Sequence, residues 1–389
     1  MQLCVPTINA GASGGLLAAE TSRAGGLGFI AAGHLNTKES MKELEEQINI
    51  FHQKRERQQQ DATKAFPLAI GFIGHSTFGC DLGWELFETV LKKHKPDVVQ
   101  FFAPAIHFTK ETTSSSSSTT SNVQMAQSYG SLVMAQVGTV KDGIDAMNAG
   151  VDCIIAQGSE AGGHGIQRGL GNSTISLTSR LVKICNEKYN GHDTIQEKKQ
   201  KVSSSDSTQS STGKPVVLAA GGISDGSAVA SALCVGADGV VIGTRLWATN
   251  EALGPQKYKQ ALVDAKSCDD VVRTRVFDAI YNSYRKLLWP EPYDSSGTLR
   301  NTLTETWDNE QEYSKLRSLL DEDDSSKKNE LISNFKQANK EEDATIAQVY
   351  SGQGVGEIHS IEPAHDVIEQ INKDTISILQ GLQKNVLLD

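Results

Sequence analysis

The chain has 389 residues, enough for one large barrel-type domain or two average ones. With 38% apolar and 22% charged residues, it has the composition of a globular protein with a sizeable core. The net charge of −10 argues against a nucleic-acid partner, and no apolar run approaches the length of a membrane span.

Short apolar runs ending in small or polar residues recur along the first two-thirds of the chain. In order they are LCVPTI, GLGFIAA, PLAIGFIG, DVVQFFAP, SLVMAQVG, VDCIIAQG, PVVLAAGG and DGVVIGT. Between them, GGLLAAETSRAG and TVKDGIDAMNAG have helical spacing, and DGSAVASALCVGA puts Ala228, Ala232 and Val235 on one face. Continuous rather than alternating apolar runs fit strands buried on both faces of a parallel sheet. About eight such strands alternating with helices is the count of a TIM (β/α)8 barrel, whereas a doubly wound sheet usually has fewer.

Two serine-rich insertions break the rhythm, KETTSSSSSTTS at 110–121 and EKKQKVSSSDSTQSSTGK at 197–214. Such composition buries too little apolar surface to offset ordering, so both are expected to be mobile loops without chemistry. After Thr249 the pattern becomes helical and charged. DEDDSSKKNE reads as a solvated helix face or turn, SGQGVGEIHS as a glycine cluster, and PAHDVIEQINKDTISILQGL as a closing amphipathic helix. The expected organisation is a barrel over 1–248 with a mainly helical region, 249–389, packed on it. MQLCVPTINAG has no charged stretch followed by an apolar one, and KNVLLD carries no lipidation, retention or peroxisomal signal. Six scattered cysteines without a CxxC pair fit reduced thiols, so a cytoplasmic location is expected.

The last two strands carry a phosphate signal. VVLAAGGISDG puts Gly221 and Gly222 just past strand seven, and GADGVVIGTRL puts Gly243 and Thr244 just past strand eight. In TIM barrels these two loops often hold a phosphate on backbone N–H groups, and Thr244 adds a hydroxyl donor. Either loop alone reads equally well as a tight turn; two at consecutive strand ends favour the anion site. Other nucleotide signals are weak. No strand–GxGxxG–helix unit is followed by an acid at the right distance, GQGVGE has no strand before it, and TGKP is no P-loop. No His, Cys and carboxylate cluster has metal-site spacing. A phosphate site without a dinucleotide fingerprint or metal suits a phosphorylated cofactor or sugar, and FMN fits.

The run AQGSEAGGHGI, residues 156–166, leaves a buried strand and sets one acid and one imidazole among glycines. His164 falls past strand six on the active-site face of a barrel, where an imidazole serves as a base or as an anion binder. In isolation it would read as a loop histidine bonded to nearby carbonyls. Glu160 reads as structural, because a carboxylate beside an anionic cofactor would repel it.

AQGSEAGGHG, AAGGISDG and GADGVVIGTRLWAT in this order resemble the nitronate monooxygenase family, formerly called 2-nitropropane dioxygenases. AETSRAGGLGFIAAG, VGTVKDGIDAMNAGVD and GQGVGEI extend the resemblance over nearly the whole chain. It implies an FMN-dependent TIM barrel that oxidises alkyl nitronates with dioxygen to a carbonyl compound and nitrite. His164 would be the catalytic histidine, deprotonating nitroalkanes in members that accept them. Gln157 and Gly162 would contact the flavin, and Gly221, Gly222, Gly243 and Thr244 would cradle its phosphate, with Val241 and Ile242 beside them. Asn9, Ala10 and Gly11 fall where the family places a Pro-Met-Ala segment beneath the isoalloxazine, with Asn9 in place of the methionine. Gly71 falls where many members carry an asparagine touching FMN. The implied partners are a small nitronate or nitroalkane and dioxygen, without nucleic acid or membrane. The nearest alternative is an FMN- and NAD(P)H-dependent enoyl-acyl carrier protein reductase of the same superfamily. An IMP-dehydrogenase-like barrel would need a cysteine where this chain has His164. A non-catalytic barrel binding a phosphorylated ligand is the remaining alternative.

Overall fold

The computed structural model describes residues 13–58, 66–111, 119–189, 213–285, 289–323 and 325–386. Helix α1 (Gly15–Arg23) leads into strand β1 (Gly28–Gly33) and helix α2 (Lys38–Gln58). Strand β2 (Leu68–Ile73) is followed by α3 (Gly74–Thr77) and α4 (Asp81–His94), and β3 (Val98–Phe102) by a two-stranded ribbon, β4 (Thr109–Glu111) and β5 (Thr119–Ser121). Helix α5 (Asn122–Ser128), β6 (Leu132–Val137), α6 (Val140–Asn148) and β7 (Cys153–Gln157) continue the alternation. The short strand β8 (Gly163–Gly165) precedes α7 (Thr174–Tyr189). Then come β9 (Val216–Ala220), α8 (Gly226–Cys234), β10 (Gly239–Val241) and α9 (Thr244–Trp247).

Seven of these strands form one parallel sheet in the order β1-β2-β3-β6-β7-β9-β10, which is chain order. The sheet is curled. Phe29 on the first strand and Val241 on the last share one interior cluster with Ala69, Val98, Met134, Ile155 and Leu218. The outward residues Ile30, Ile70, Val99, Val133 and Ile154 pack under helix residues such as Leu44, Phe87 and Leu181. Burial on both faces is why the strands read as unbroken apolar runs. The result is the TIM-barrel-like α/β fold expected. LCVPTI, the first expected strand, lies outside the described residues. At their edge, Ser13 accepts from Ala31 N at 3.1 Å and donates through Oγ to Phe29 O, along the free side of β1. Helix starts are set by side-chain caps at the strand ends: Thr139 Oγ1 accepts from Asp142 N, and Asp225 Oδ1 from Ala228 N.

The rest of the chain adds α10 (Gln256–Asp264), β11 (Val271–Thr274), α11 (Val276–Asn282), β12 (Ser295–Leu299), α12 (Thr302–Trp307), α13 (Glu310–Asp321), α14 (Ser326–Glu341) and α15 (Ala364–Val386). Val367, Ile368 and Ile371 of α15 join Leu17, Val229 and Ala232 in one core. Gly226 permits this approach, since a Cβ there would lie 2.6 Å from Asp374 Cβ.

Two expectations need revision. The region after Thr249, expected to be mainly helical, contributes β11 and β12 to a second sheet ordered β11-β12-β8, antiparallel throughout. Small residues make this possible: a Cβ on Gly297 of β12 would lie 2.3 Å from Ala161 O. The first serine-rich insertion, expected to be loop, begins and ends in strand, with Thr109 opposite Ser121 and Glu111 opposite Thr119. The β-branched threonines favour the pairing. Residues 112–118 and 197–212 of the two insertions lie outside the described residues.

Candidate active site

Side chains alternate across a strand, so every second residue of the curled sheet points inward. The lower inward residues fill the interior. The upper ones, including Gly71, Gln100, Gln136, Gln157, Ala220 and Val241, line a cavity at the C-terminal ends of the strands. Its empty volume is about 1070 Å³, open to solvent. Gly71 offers only backbone, because Phe29 takes the space of a side chain there: a Cβ on Gly71 would lie 2.1 Å from Phe29 Cζ.

One side of the cavity is made of glycines. Gly221 and Gly222 follow β9 with φ of +118° and +69°, and Gly243 follows β10. Glycine takes such positive φ without strain. The backbone N–H groups of Gly222 and Gly243 have no hydrogen-bond partner among the described residues. Thr244 Oγ1 accepts from Gly352 N at 2.9 Å, which leaves its own proton to donate. Among the described residues no lysine or arginine lines the cavity, so an anion held by them would rest on neutral donors.

His164 lines the cavity from the short strand β8, opposite Ser296 of β12. Its Nε2 lies 2.8 Å from Asp278 Oδ1, and both side chains are buried. The carboxylate accepts from Nε2–H, so the lone pair of the neutral ring sits on Nδ1. Asp278 Oδ2 is buried and has no partner among the described residues. A carboxylate so poorly satisfied gains most when its imidazole partner takes up a proton. The Trp289 indole stacks on the imidazole with ring centroids 3.8 Å apart, and Tyr350 approaches at 5.7 Å. Burial, with the Asp278 charge adding to it, holds the Tyr350 phenol protonated far above its ordinary range.

The glycine loop carrying His164 is held by a buried cation. Arg273 of β11 donates to the carbonyls of Ser159, Ala161, Gly163 and Ser295, at 3.1, 2.6, 3.5 and 3.2 Å. It forms no ion pair among the described residues. Burial lowers its pKa to about 10, with the Glu160 charge opposing, so it remains a cation at neutral pH. Glu160 itself points away from the cavity. Its carboxylate accepts from Thr174 N at 2.9 Å and Thr174 Oγ1 at 3.0 Å, against the N-terminus of α7.

Of the residues singled out from sequence, His164, Gly71, Gln157, Gly162, Gly221, Gly222, Val241, Gly243 and Thr244 all line this cavity. The Gln157 amide donates to His164 O at 2.9 Å. Ile242 does not line it; its side chain is fully buried with Val229 and Leu246 outside the sheet. Asn9, Ala10 and Gly11 lie outside the described residues. Sequence reasoning missed Asp278, Arg273, Trp289 and Tyr350. The first two do leave a trace, an acid within the apolar VFDAI and a cation within VVRT. Among the described residues no His, Cys, Asp and Glu group could hold a metal ion, and no helix is long and apolar enough to cross a membrane.

A sequence profile of the family described as nitronate monooxygenase matches residues 3–374. A nitronate monooxygenase from Neurospora crassa is 27% identical over 379 residues, 95% of this chain and 88% of its own length. Nitronate monooxygenase npaC from Metarhizium robertsii is 29% identical over 312 residues, 79% of this chain and 74% of its own. Among solved structures, FabK from Thermotoga maritima superposes with a TM-score of 0.64 at 23% identity, covering 99% of this chain and 96% of FabK. The nitroalkane oxidase of Streptomyces ansochromogenes superposes with a TM-score of 0.65 at 21% identity, covering 97% of both chains. At that level of identity the two structures speak to the fold alone.

Proposed function

This chain belongs to the nitronate monooxygenase family, and on that premise we propose that it oxidises alkyl nitronates with dioxygen to a carbonyl compound and nitrite, using FMN at the barrel mouth. One juxtaposition carries the reading. His164, oriented by a buried carboxylate, faces the same cavity as the glycine ends of β9 and β10.

The residues fit FMN. The free amides of Gly222 and Gly243 and the Thr244 hydroxyl suit its phosphate, while the inward glutamines and Gly162 suit the polar edge of a flavin ring. Bound there, FMN supplies the electron transfer between nitronate and dioxygen. The chain's own residues handle the proton and the anion. With a neutral nitroalkane, Nδ1 of His164 accepts the proton from the carbon bearing the nitro group. Asp278 then stabilises the imidazolium and keeps the ring from turning. With a preformed nitronate no proton needs removal, and His164 orients the anion instead. The Arg273 cation beneath the loop adds positive potential on the side where that anion sits.

Nitrite release and oxygen uptake on adding a nitronate to purified protein, with no nicotinamide cofactor present, test this reading. Nitrite should form with the nitronate as the sole electron donor. Protein that makes no nitrite, yet oxidises NADH with an enoyl thioester, would be the enoyl reductase instead.

A further inference from the structure

Trp289 lines the cavity on the His164 side, and its indole lies over the imidazole with the two planes only 10° from parallel. It is braced from several directions. His34 and His75, which follow β1 and β2, meet it edge-on at 5.5 and 5.1 Å. Phe102, at the end of β3, packs against it at 6.1 Å and is itself met by Tyr293 at 5.6 Å. Neither His34 nor His75 lines the cavity, so they form a second layer behind the indole. Burial, then the His75 and His164 imidazoles, hold His34 down to about 3, so His34 stays uncharged at neutral pH.

A reacting carbon must lie within reach of His164. A chain growing from that carbon toward Trp289 meets a flat ring whose edges are already in contact with other rings. Such a wall yields less than a single flexible side chain, because moving the indole breaks several ring contacts together. We propose that Trp289 is the specificity-determining residue of the site and restricts it to compact nitronates, whose carbon chain ends within a few atoms of the nitro-bearing carbon. The proposal rests on the nitronate reading given above and names the substrate class within it.

The experiment compares wild-type holoenzyme with Trp289→Ala. Nitrite release is measured from ethyl, butyl and hexyl nitronates. In parallel, the linear carboxylates from acetate to octanoate are titrated against the flavin absorbance as inert mimics, since they share the charge and planar pair of oxygens. Wild type should lose roughly ten-fold or more in kcat/KM between ethyl and hexyl nitronate, the scale set by a few misfit methylenes. Trp289→Ala should erase that loss and bind octanoate about ten-fold tighter than wild type does, with acetate little changed. The same chain-length profile in both proteins, or a wild type indifferent to length, would overturn the proposal. If no nitronate of any length gives nitrite, the functional reading fails, and the carboxylate series alone decides whether Trp289 sets the size limit. If Trp289→Ala fails to fold, Trp289→Leu takes its place, and a wild-type profile from that variant overturns the proposal.

Discussion

Asp278 holds Nε2 of His164 at 2.8 Å, and the proposed mechanism leaves Nδ1 for the substrate. His164→Asn should keep the flavin bound and retain much of its turnover of preformed nitronates. Turnover of neutral nitroalkanes should fall by about two to four orders of magnitude, the usual contribution of a general base. Equal loss on both substrates would assign His164 to anion binding alone. Asp278→Asn still accepts a hydrogen bond but no longer balances an imidazolium, so it should lower nitroalkane turnover selectively and less severely. His34 makes a different prediction. Its folded-state pKa of about 3 lies below the ordinary 6.5, so the unfolded chain takes up a proton that the folded chain refuses between those values. Stability is therefore full above pH 6.5 and declines as pH falls toward 3. In His34→Gln, urea unfolding followed across this window should show a shallower decline, by up to about 1.4 kcal/mol per pH unit for one proton. An unchanged slope would mean that His34 titrates alike in both states.

At the scale of elements, the site depends on the join between the barrel and the small sheet of β11, β12 and β8. Arg273 is the tie, spending its donors on four carbonyls. Arg273→Met takes a buried donor away from each of those carbonyls and should lower unfolding free energy by about 3 kcal/mol or more, read from the denaturant midpoint. Arg273→Lys should recover part of the loss, because an ammonium keeps the charge but reaches fewer acceptors. Beside the loop that carries His164, Gly222→Glu should purify colourless, since a carboxylate there would repel a phosphate held on the Gly222 amide. Gly222→Ala is its control, carrying the strain of φ +69° and a Cβ placed 3.2 Å from that of Glu160 without the charge. Normal flavin occupancy in Gly222→Glu would move the phosphate elsewhere. These elements differed in how plainly they could be read. The seven strands of the large sheet announce themselves because burial on both faces demands unbroken apolar runs. The strand GHG has no such signature. It exists only because SSGTL, more than a hundred residues later, pairs with it through small side chains.

For the whole molecule, the same distinction separates what was legible from what was not. Five residues of the candidate site, His164, Gly221, Gly222, Gly243 and Thr244, were readable from the chain alone because they follow apolar strands, whereas Gly71, Gln157, Gly162 and Val241 were implied by the family resemblance. Asp278 is 114 residues from His164, and Trp289 reaches the site from beyond the barrel, so neither neighbourhood is written in local spacing. The C-terminal residues thus complete the site as well as cover the barrel, with α15 buried against α1 and α8. The proposed function requires this barrel to hold FMN and to pass electrons to it from a nitronate. Mixing purified protein with ethyl nitronate in the absence of air and of NADH, while following absorbance, tests that claim most directly. The expected result is a flavin spectrum that the nitronate bleaches and air restores. Colourless protein, or a flavin untouched by nitronate and bleached by NADH, would contradict it.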